Sequence, residues 1–141
     1  PAKPNNAASS LASGVFREPL WGAECVLPFG TEAVMPLAGY RTIVEGFVQL
    51  HEVDGGKLGE DRAVSLPSLD VTVADMIAAL KRVAGNRKLG GIRVEKDPVI
   101  ERIVAGWPIG TTFDRALSLG LPKDPDLDSI VKAYIEDFLP R

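Results

Sequence analysis

Between Thr72 and Asn86 the chain spells out a helix with both ends marked, and this stretch does most to restrict the fold. Thr72 followed three residues later by Asp75 reads as a capping box with Asp in place of Glu, each side chain meeting the other's backbone N–H. Val73, Met76, Ile77, Leu80, Val83 and Ala84 recur at helical spacing, so one face is apolar along its whole length. Gly85-Asn86 closes the helix, because glycine readily takes the left-handed turn past a helix end. On either side, Arg62 to Leu66 and Ile92 to Lys96 read as strands, the second by strict alternation of apolar and polar residues. Arg62 to Lys96 is therefore predicted to be a βαβ-like unit, and the fold class α/β.

The remaining elements are short. Glu24 to Pro28 and Ala33 to Leu37 read as strands, with Pro36 placing the second at an edge or a strand end. Gly39 to Val53 carries Ile43, Val44, Phe47, Leu50 and His51 at helical spacing and stops at Asp54-Gly55-Gly56. Lys57 to Asp61 reads as a polar loop. Asp97-Pro98 starts another helix, with Asp as cap and Pro in the first turn, and it ends near Gly106-Trp107-Pro108. Asp114 is predicted to cap a short helix ending at Gly120. Leu127, Ile130, Val131, Tyr134, Ile135 and Phe138 make one face of a closing amphipathic helix. About six helices and a few short strands result, with no repeat and no linker, so residues 1–141 read as one region. A chain of 141 residues is long enough for a real core, burying roughly two-thirds of its unfolded surface.

Composition removes several functions. The chain is 45% hydrophobic and 25% charged, with net charge -3 and no basic cluster, which argues against nucleic acid. No apolar run approaches a membrane span and nothing resembles a signal peptide, so a cytoplasmic location is the default expectation. Cys25 is the single cysteine; in an apolar run it reads as a buried thiol. His51 is the single histidine, read as a half-buried helix residue, and without a second imidazole or thiol nearby no metal site is expected. There is no Gly-x-Gly-x-x-Gly after a strand, and Gly55-Gly56 and Gly90-Gly91 read as turns. A Ser-His-Asp arrangement stays open on count alone, but one His amid seven Ser, with no Gly-x-Ser-x-Gly elbow, is a weak signal. Neither Tyr40 nor Tyr134 has a Lys four residues on; Val44 and Phe138 stand there instead.

The chemistry that is present sits at the start. Lys3 to Arg17 holds a cation, two carboxamides, three hydroxyls and a guanidinium, separated mostly by small residues. Ala7 to Arg17 reads as a helix stopping before Pro19, since proline pushes the preceding residue out of the helical region. Ser9, Ser13 and Arg17 then fall at i, i+4 and i+8, giving one face two hydroxyls and a guanidinium. Asn6 stands where its side chain can cap the helix. Such a face suits a small, hydroxyl-rich, negatively charged ligand, because arginine grips a carboxylate or phosphate with two parallel hydrogen bonds. The structural alternative is a helix of small residues built for close packing, with Asn6 only a cap.

Certain segments resemble a known family. Lys-Pro-Asn-x-Ala-Ala-Ser-Ser…Ser-Gly-x-x-Arg-Glu-Pro-Leu, at Lys3 to Leu20, is similar to the C-terminal half of the extended short-chain dehydrogenases/reductases. Within them it resembles the NAD-dependent epimerase/dehydratase relatives of the D-erythronate dehydrogenase type. Val64 to Val73, Asp97-Pro98…Glu101-Arg102-Ile103-Val104…Trp107-Pro108, Phe113-Asp114…Ala116…Leu119-Gly120 and Ile130 to Asp137 carry the resemblance along the chain. It implies a Rossmann-type protein whose N-terminal half binds NAD and supplies a Tyr-x-x-x-Lys pair, none of which is in this sequence. No catalytic residue is therefore expected in this chain. The resemblance sets Pro1 beside the nicotinamide and turns Lys3, Asn5, Asn6, Ser9, Ser13 and Arg17 toward substrate. Arg41 resembles a family arginine at a helix start, although the family's preceding Ser-Pro is Gly39-Tyr40 here.

The implied activity is oxidation of a secondary alcohol on a small sugar acid such as D-erythronate, with this region shaping the substrate pocket. Its implied partners are that anionic polyol, an N-terminal Rossmann half and a second copy in a homodimer. The chain opens at Pro1 without an initiator Met, and the expectation is that the NAD-binding half is absent from it. A nucleotide-sugar epimerase or dehydratase is the alternative within the family, and a non-catalytic interaction module the alternative outside it. The strand expected at Val64 to Leu66 would join the parallel sheet of the other half.

Overall fold

The computed structural model describes residues 10–140. Its elements run α1 (Ser10–Leu20), β1 (Cys25–Leu27), β2 (Val34–Leu37), α2 (Tyr40–Glu52), α3 (Gly55–Leu58), β3 (Leu69–Thr72), α4 (Val73–Ala84), β4 (Ile92–Val94), α5 (Pro98–Ala105), α6 (Asp114–Ser118) and α7 (Leu127–Phe138). These are seven helices and four short strands among the described residues, an α/β arrangement as expected.

α4 is the spine. The Thr72 hydroxyl accepts from Asp75 N–H at 3.0 Å and the Asp75 carboxylate accepts from Thr72 N–H at 3.0 Å, completing the capping box. Val73, Met76, Ala79, Leu80 and Ala84 are buried, and Gly85 ends the helix at φ 58. Around them gather Val15, Phe16 and Leu20 of α1, Leu27 and Phe29 at the end of β1, Met35 of β2 and Val131 of α7. The core thus lies where α1, α4 and α7 meet the strands, and it is continuous.

The strands pair otherwise than their order in the sequence implies. β1 pairs with β4 in parallel, Cys25 opposite Ile92, while β2 pairs with β3 antiparallel, Val34 opposite Thr72. The strands flanking α4 thus lie in different two-stranded sheets, and the expected βαβ-like unit does not form. Gly90 makes the β1–β4 pairing fit: a Cβ there would stand 1.9 Å from the Ala23 carbonyl oxygen, so only glycine lets the two backbones approach.

The expected strand at Arg62 to Leu66 is also absent; the strand starts instead at Leu69. Residues 61–68 have no ladder partner, and the carbonyls of Asp61 and Ala63 turn to Arg115 instead. Its guanidinium donates to Ala63 O at 3.1 Å, to Leu58 O at 2.6 Å and to Asp61 O. Gly55 to Leu58, expected in part as loop, forms one helical turn capped by Asp54.

α1 continues past the expected stop and includes Pro19 and Leu20. A proline in the last turn forfeits a single backbone donor, and both residues are buried. The Pro19 carbonyl accepts from Gly22 N–H at 3.0 Å and Gly90 N–H at 2.9 Å, so the helix end is tied to the approach of β4.

α2 turns a different face inward from the one its spacing indicated. Gly46 is buried, and a Cβ there would meet Leu66 at 2.9 Å, so the helix leans on the extended segment at that point. Val44, Phe47 and Val48 are exposed, Phe47 at 62%, and His51, expected half-buried, is exposed in the last turn. A helix is turned by whatever packs against it, and here Leu66 and the second half of α7 decide. α5 starts on the Asp97 cap that the sequence indicates, and α7 starts at Leu127 behind a cap, Asp126, that the sequence reading did not name. Asp114 is the first residue of α6 rather than its cap, which is Phe113 and has no side-chain bond.

Candidate functional site

The helical spacing of α1 brings Ser13 and Arg17 together as the sequence predicts. Arg17 Nη1 donates to Ser13 Oγ at 3.4 Å, and Ser13 Oγ donates in turn to the Ser10 carbonyl at 2.9 Å. The Ser13 hydroxyl hydrogen is therefore engaged, and its remaining lone pair can accept from a ligand hydroxyl. The Arg17 side chain is only 21% exposed, and its Nε has no partner among the described residues. Pro1, Lys3, Asn5, Asn6 and Ser9, the other residues expected here, lie outside the described residues.

Behind Arg17 stands a carboxylate that sequence reasoning passed over. Glu18 is buried, its side chain 10% exposed, with Oε1 3.7 Å from Arg17 Nη2. Gly14, four residues back, leaves the space: a Cβ there would lie 3.3 Å from Glu18 Oε1. The signal was available in principle, since Gly14 and Glu18 stand at i and i+4, but the side chain could as well have pointed to water. The Cys25 thiol of β1 lies close enough to Glu18 to feel its charge. Burial, reinforced by the Glu18 charge, pushes the Cys25 thiol up to about 12, so it is a protonated core residue and no nucleophile.

Arg41 is placed elsewhere, at the first turn of α2. Its Nε and Nη2 donate to the two Asp137 oxygens at 2.9 and 2.6 Å, and Nη1 donates to Glu136 at 3.0 Å. Tyr40 Oη also donates to Asp137. The guanidinium and the phenol hold the Asp137 carboxyl down to about 2, below its ordinary 3.8. All three Arg41 nitrogens are thus engaged with α7, and Tyr40 packs edge-on to Phe138 with ring centres 5.2 Å apart. This clasp closes α2 onto α7.

A cavity of about 280 Å³ opens between the β1–β2 connection and α5. Phe29, Ala33, Val104, Trp107 and Ile109 line it, with Glu32 and Glu101 at the edge. Lys96 Nζ stands 3.6 Å from Glu32 and 3.5 Å from Glu101, so the cation nearest the edge is already shared between two carboxylates. Glu101, Val104 and Trp107 belong to a segment in which the family resemblance was found. Among the described residues no cluster of His, Cys, Asp and Glu can hold a metal ion, and no helix is long and apolar enough to cross a membrane.

The chain as a whole was compared with known proteins. No family model matches the chain. D-erythronate dehydrogenase of Cupriavidus necator is 44% identical over 137 residues, covering 97% of this chain and 42% of that protein. The crystal structure described as the nucleoside-diphosphate-sugar epimerase from Agrobacterium tumefaciens superposes with a TM-score of 0.89 at 37% identity, over 99% of this chain and 41% of that one. An L-threonine dehydrogenase from Cupriavidus necator gives a TM-score of 0.80 at 19% identity, covering 96% of this chain and 48% of its own, a likeness of fold alone. The chain therefore spans about two-fifths of the length of the curated relatives it matches.

Proposed function

We propose, from the premise that this chain belongs to the extended short-chain dehydrogenase/reductase family and matches its C-terminal portion, that it forms the substrate side of an NAD-dependent oxidoreductase. In this reading the protein oxidises a secondary alcohol of a small sugar acid of the D-erythronate type. The observation that carries it is the Ser13–Arg17 pair, a hydroxyl and a mostly buried guanidinium on one helix face. Arg17 takes the substrate carboxylate by charge-assisted hydrogen bonds, and Ser13 accepts from a substrate hydroxyl. The resemblance assigns Lys3, Asn5, Asn6 and Ser9, which lie outside the described residues, to the same substrate, and Pro1 to the nicotinamide.

The cofactor itself finds little in this chain. The sequence has no glycine turn between strand and helix to cradle a pyrophosphate, so NAD belongs mainly to an N-terminal Rossmann half. What this region contributes is position: holding the alcohol carbon in one orientation converts an encounter into a near-unimolecular step. The exposed apolar face of α2, Val44, Phe47 and Val48, and the unpaired segment 61–68 are covered by that half in the same reading.

A nucleotide-sugar epimerase is the rival, favoured by the name of the Agrobacterium structure. A diphosphate needs several cations, whereas Arg41 is engaged by α7 and Lys96 by two glutamates. That balance supports the sugar acid. The test is direct: full-length protein with NAD and D-erythronate develops NADH fluorescence, and the 141-residue chain alone leaves NADH fluorescence unchanged. Cofactor binding by the chain alone, or calorimetric binding of a uridine-diphosphate sugar in place of the sugar acid, overturns the reading.

A further inference from the structure

The guanidinium of Arg17 is not a bare cation. Glu18 stands 3.7 Å from it, and among the described residues Arg17 is its only ion-pair partner. The carboxylate is seated over Gly14, where a Cβ would lie 3.3 Å from its Oε1. Burying a carboxylate is unfavourable even when it is paired, so a buried ion pair at this point is poorly explained as a device for stability. Its effect on the site is definite: the positive charge of Arg17 is largely cancelled, while guanidinium N–H directions remain.

We propose that Glu18 is the specificity-determining residue of this surface, a built-in counter-charge that admits a ligand with one negative charge, a carboxylate, and rejects phosphate esters and diphosphates. The proposal rests on the reading of Arg17 as the group that holds the substrate carboxylate. A monocarboxylate needs the directed donors of Arg17 and brings a single charge near Glu18. A phosphate brings up to two charges, and each additional charge is repelled by a carboxylate that water screens poorly. The same arrangement selects between the carboxylate and the phosphate that the arginine could grip equally on sequence grounds.

The experiment uses full-length protein, with affinities for D-erythronate and for inorganic phosphate measured by titration calorimetry at fixed ionic strength. Glu18→Gln is expected to raise the phosphate-to-erythronate affinity ratio about ten-fold, equivalent to ~1.4 kcal/mol. Glu18→Ala, which removes the charge without leaving a polar side chain over Gly14, is expected to shift the ratio in the same direction and serves if Glu18→Gln fails to fold. A purely structural Glu18 would lower the melting temperature and leave the ratio untouched, and an unchanged ratio in the folded variants overturns the proposal. Arg17→Lys separates the two ideas. If it leaves the affinity for D-erythronate intact, the underlying reading of Arg17 fails. If it weakens that affinity while Glu18→Gln does not move the ratio, the counter-charge alone is wrong.

Discussion

Asp124 offers the sharpest test of how this chain holds its shape. The residue is 7% exposed and lies 85 positions from Gly39, at the head of the helix it caps. Gly39, the residue at the head of α2, has no side chain with which to cap, so Asp124 does it from a distance. It accepts from Gly39 N–H at 2.7 Å and from Thr42 Oγ–H at 2.6 Å. A hydrogen bond to a charged acceptor contributes about 1.5–3 kcal/mol, and a buried donor left bare costs a similar amount. Asp124→Ala removes both acceptors at once, so the expected loss is roughly 3–5 kcal/mol. That is a large share of a typical domain's stability of about 5–15 kcal/mol. Asp124→Asn keeps the shape and one acceptor oxygen and should cost only about 1–2 kcal/mol. Urea unfolding followed by circular dichroism reads the difference as a fall in midpoint at unchanged slope. Thr42→Ala combined with Asp124→Ala should show non-additivity, because the two share one contact. If Asp124→Ala unfolds within about 1 kcal/mol of the parent, the carboxylate is not the cap and the argument fails.

Further expectations concern charge and surface. Asp137 has a folded-state pKa depressed to about 2 from 3.8, so its clasp with Arg41 and Tyr40 is intact above 3.8 and is lost as pH falls through about 2. A carboxyl titration followed by nuclear magnetic resonance should find that low midpoint, and Arg41→Ala should return it toward 3.8. Cys25 has the opposite sign: the folded thiol keeps its proton up to about 12 while an unfolded thiol loses it near 9.0, so stability falls as pH rises between them. A thiol reagent should accordingly label the chain only after denaturant is added. The chain on its own should self-associate through α2, and Phe47→Glu should shift its sedimentation toward monomer; a monomeric parent at high concentration would contradict this.

The helices were readable because their signals are local. The capping box at Thr72 and Asp75, the Asp97-Pro98 start and the apolar line of α7 each lie within a few residues of what they control. Ser13 and Arg17 were readable for the same reason, since a single turn of helix places one beside the other. Glu18 was not: its neighbour Cys25 comes from β1, and its burial depends on the core closing behind it.

A helix satisfies its backbone hydrogen bonds within itself, so sequence alone set where α4, α5 and α7 run and which of their residues share a face. A strand has no such internal answer. The pattern at Arg62 to Leu66 is strand-like, yet Arg115 takes the Ala63 carbonyl, and that of Asp61 just before it, in place of a neighbouring strand. Whether β1 pairs with β4, which way α2 turns Phe47, and whether Arg41 meets a ligand or Asp137 all depend on groups brought from far along the chain. Those outcomes belong to the tertiary structure, because the competing partners are equally polar and only packing decides which of them arrives.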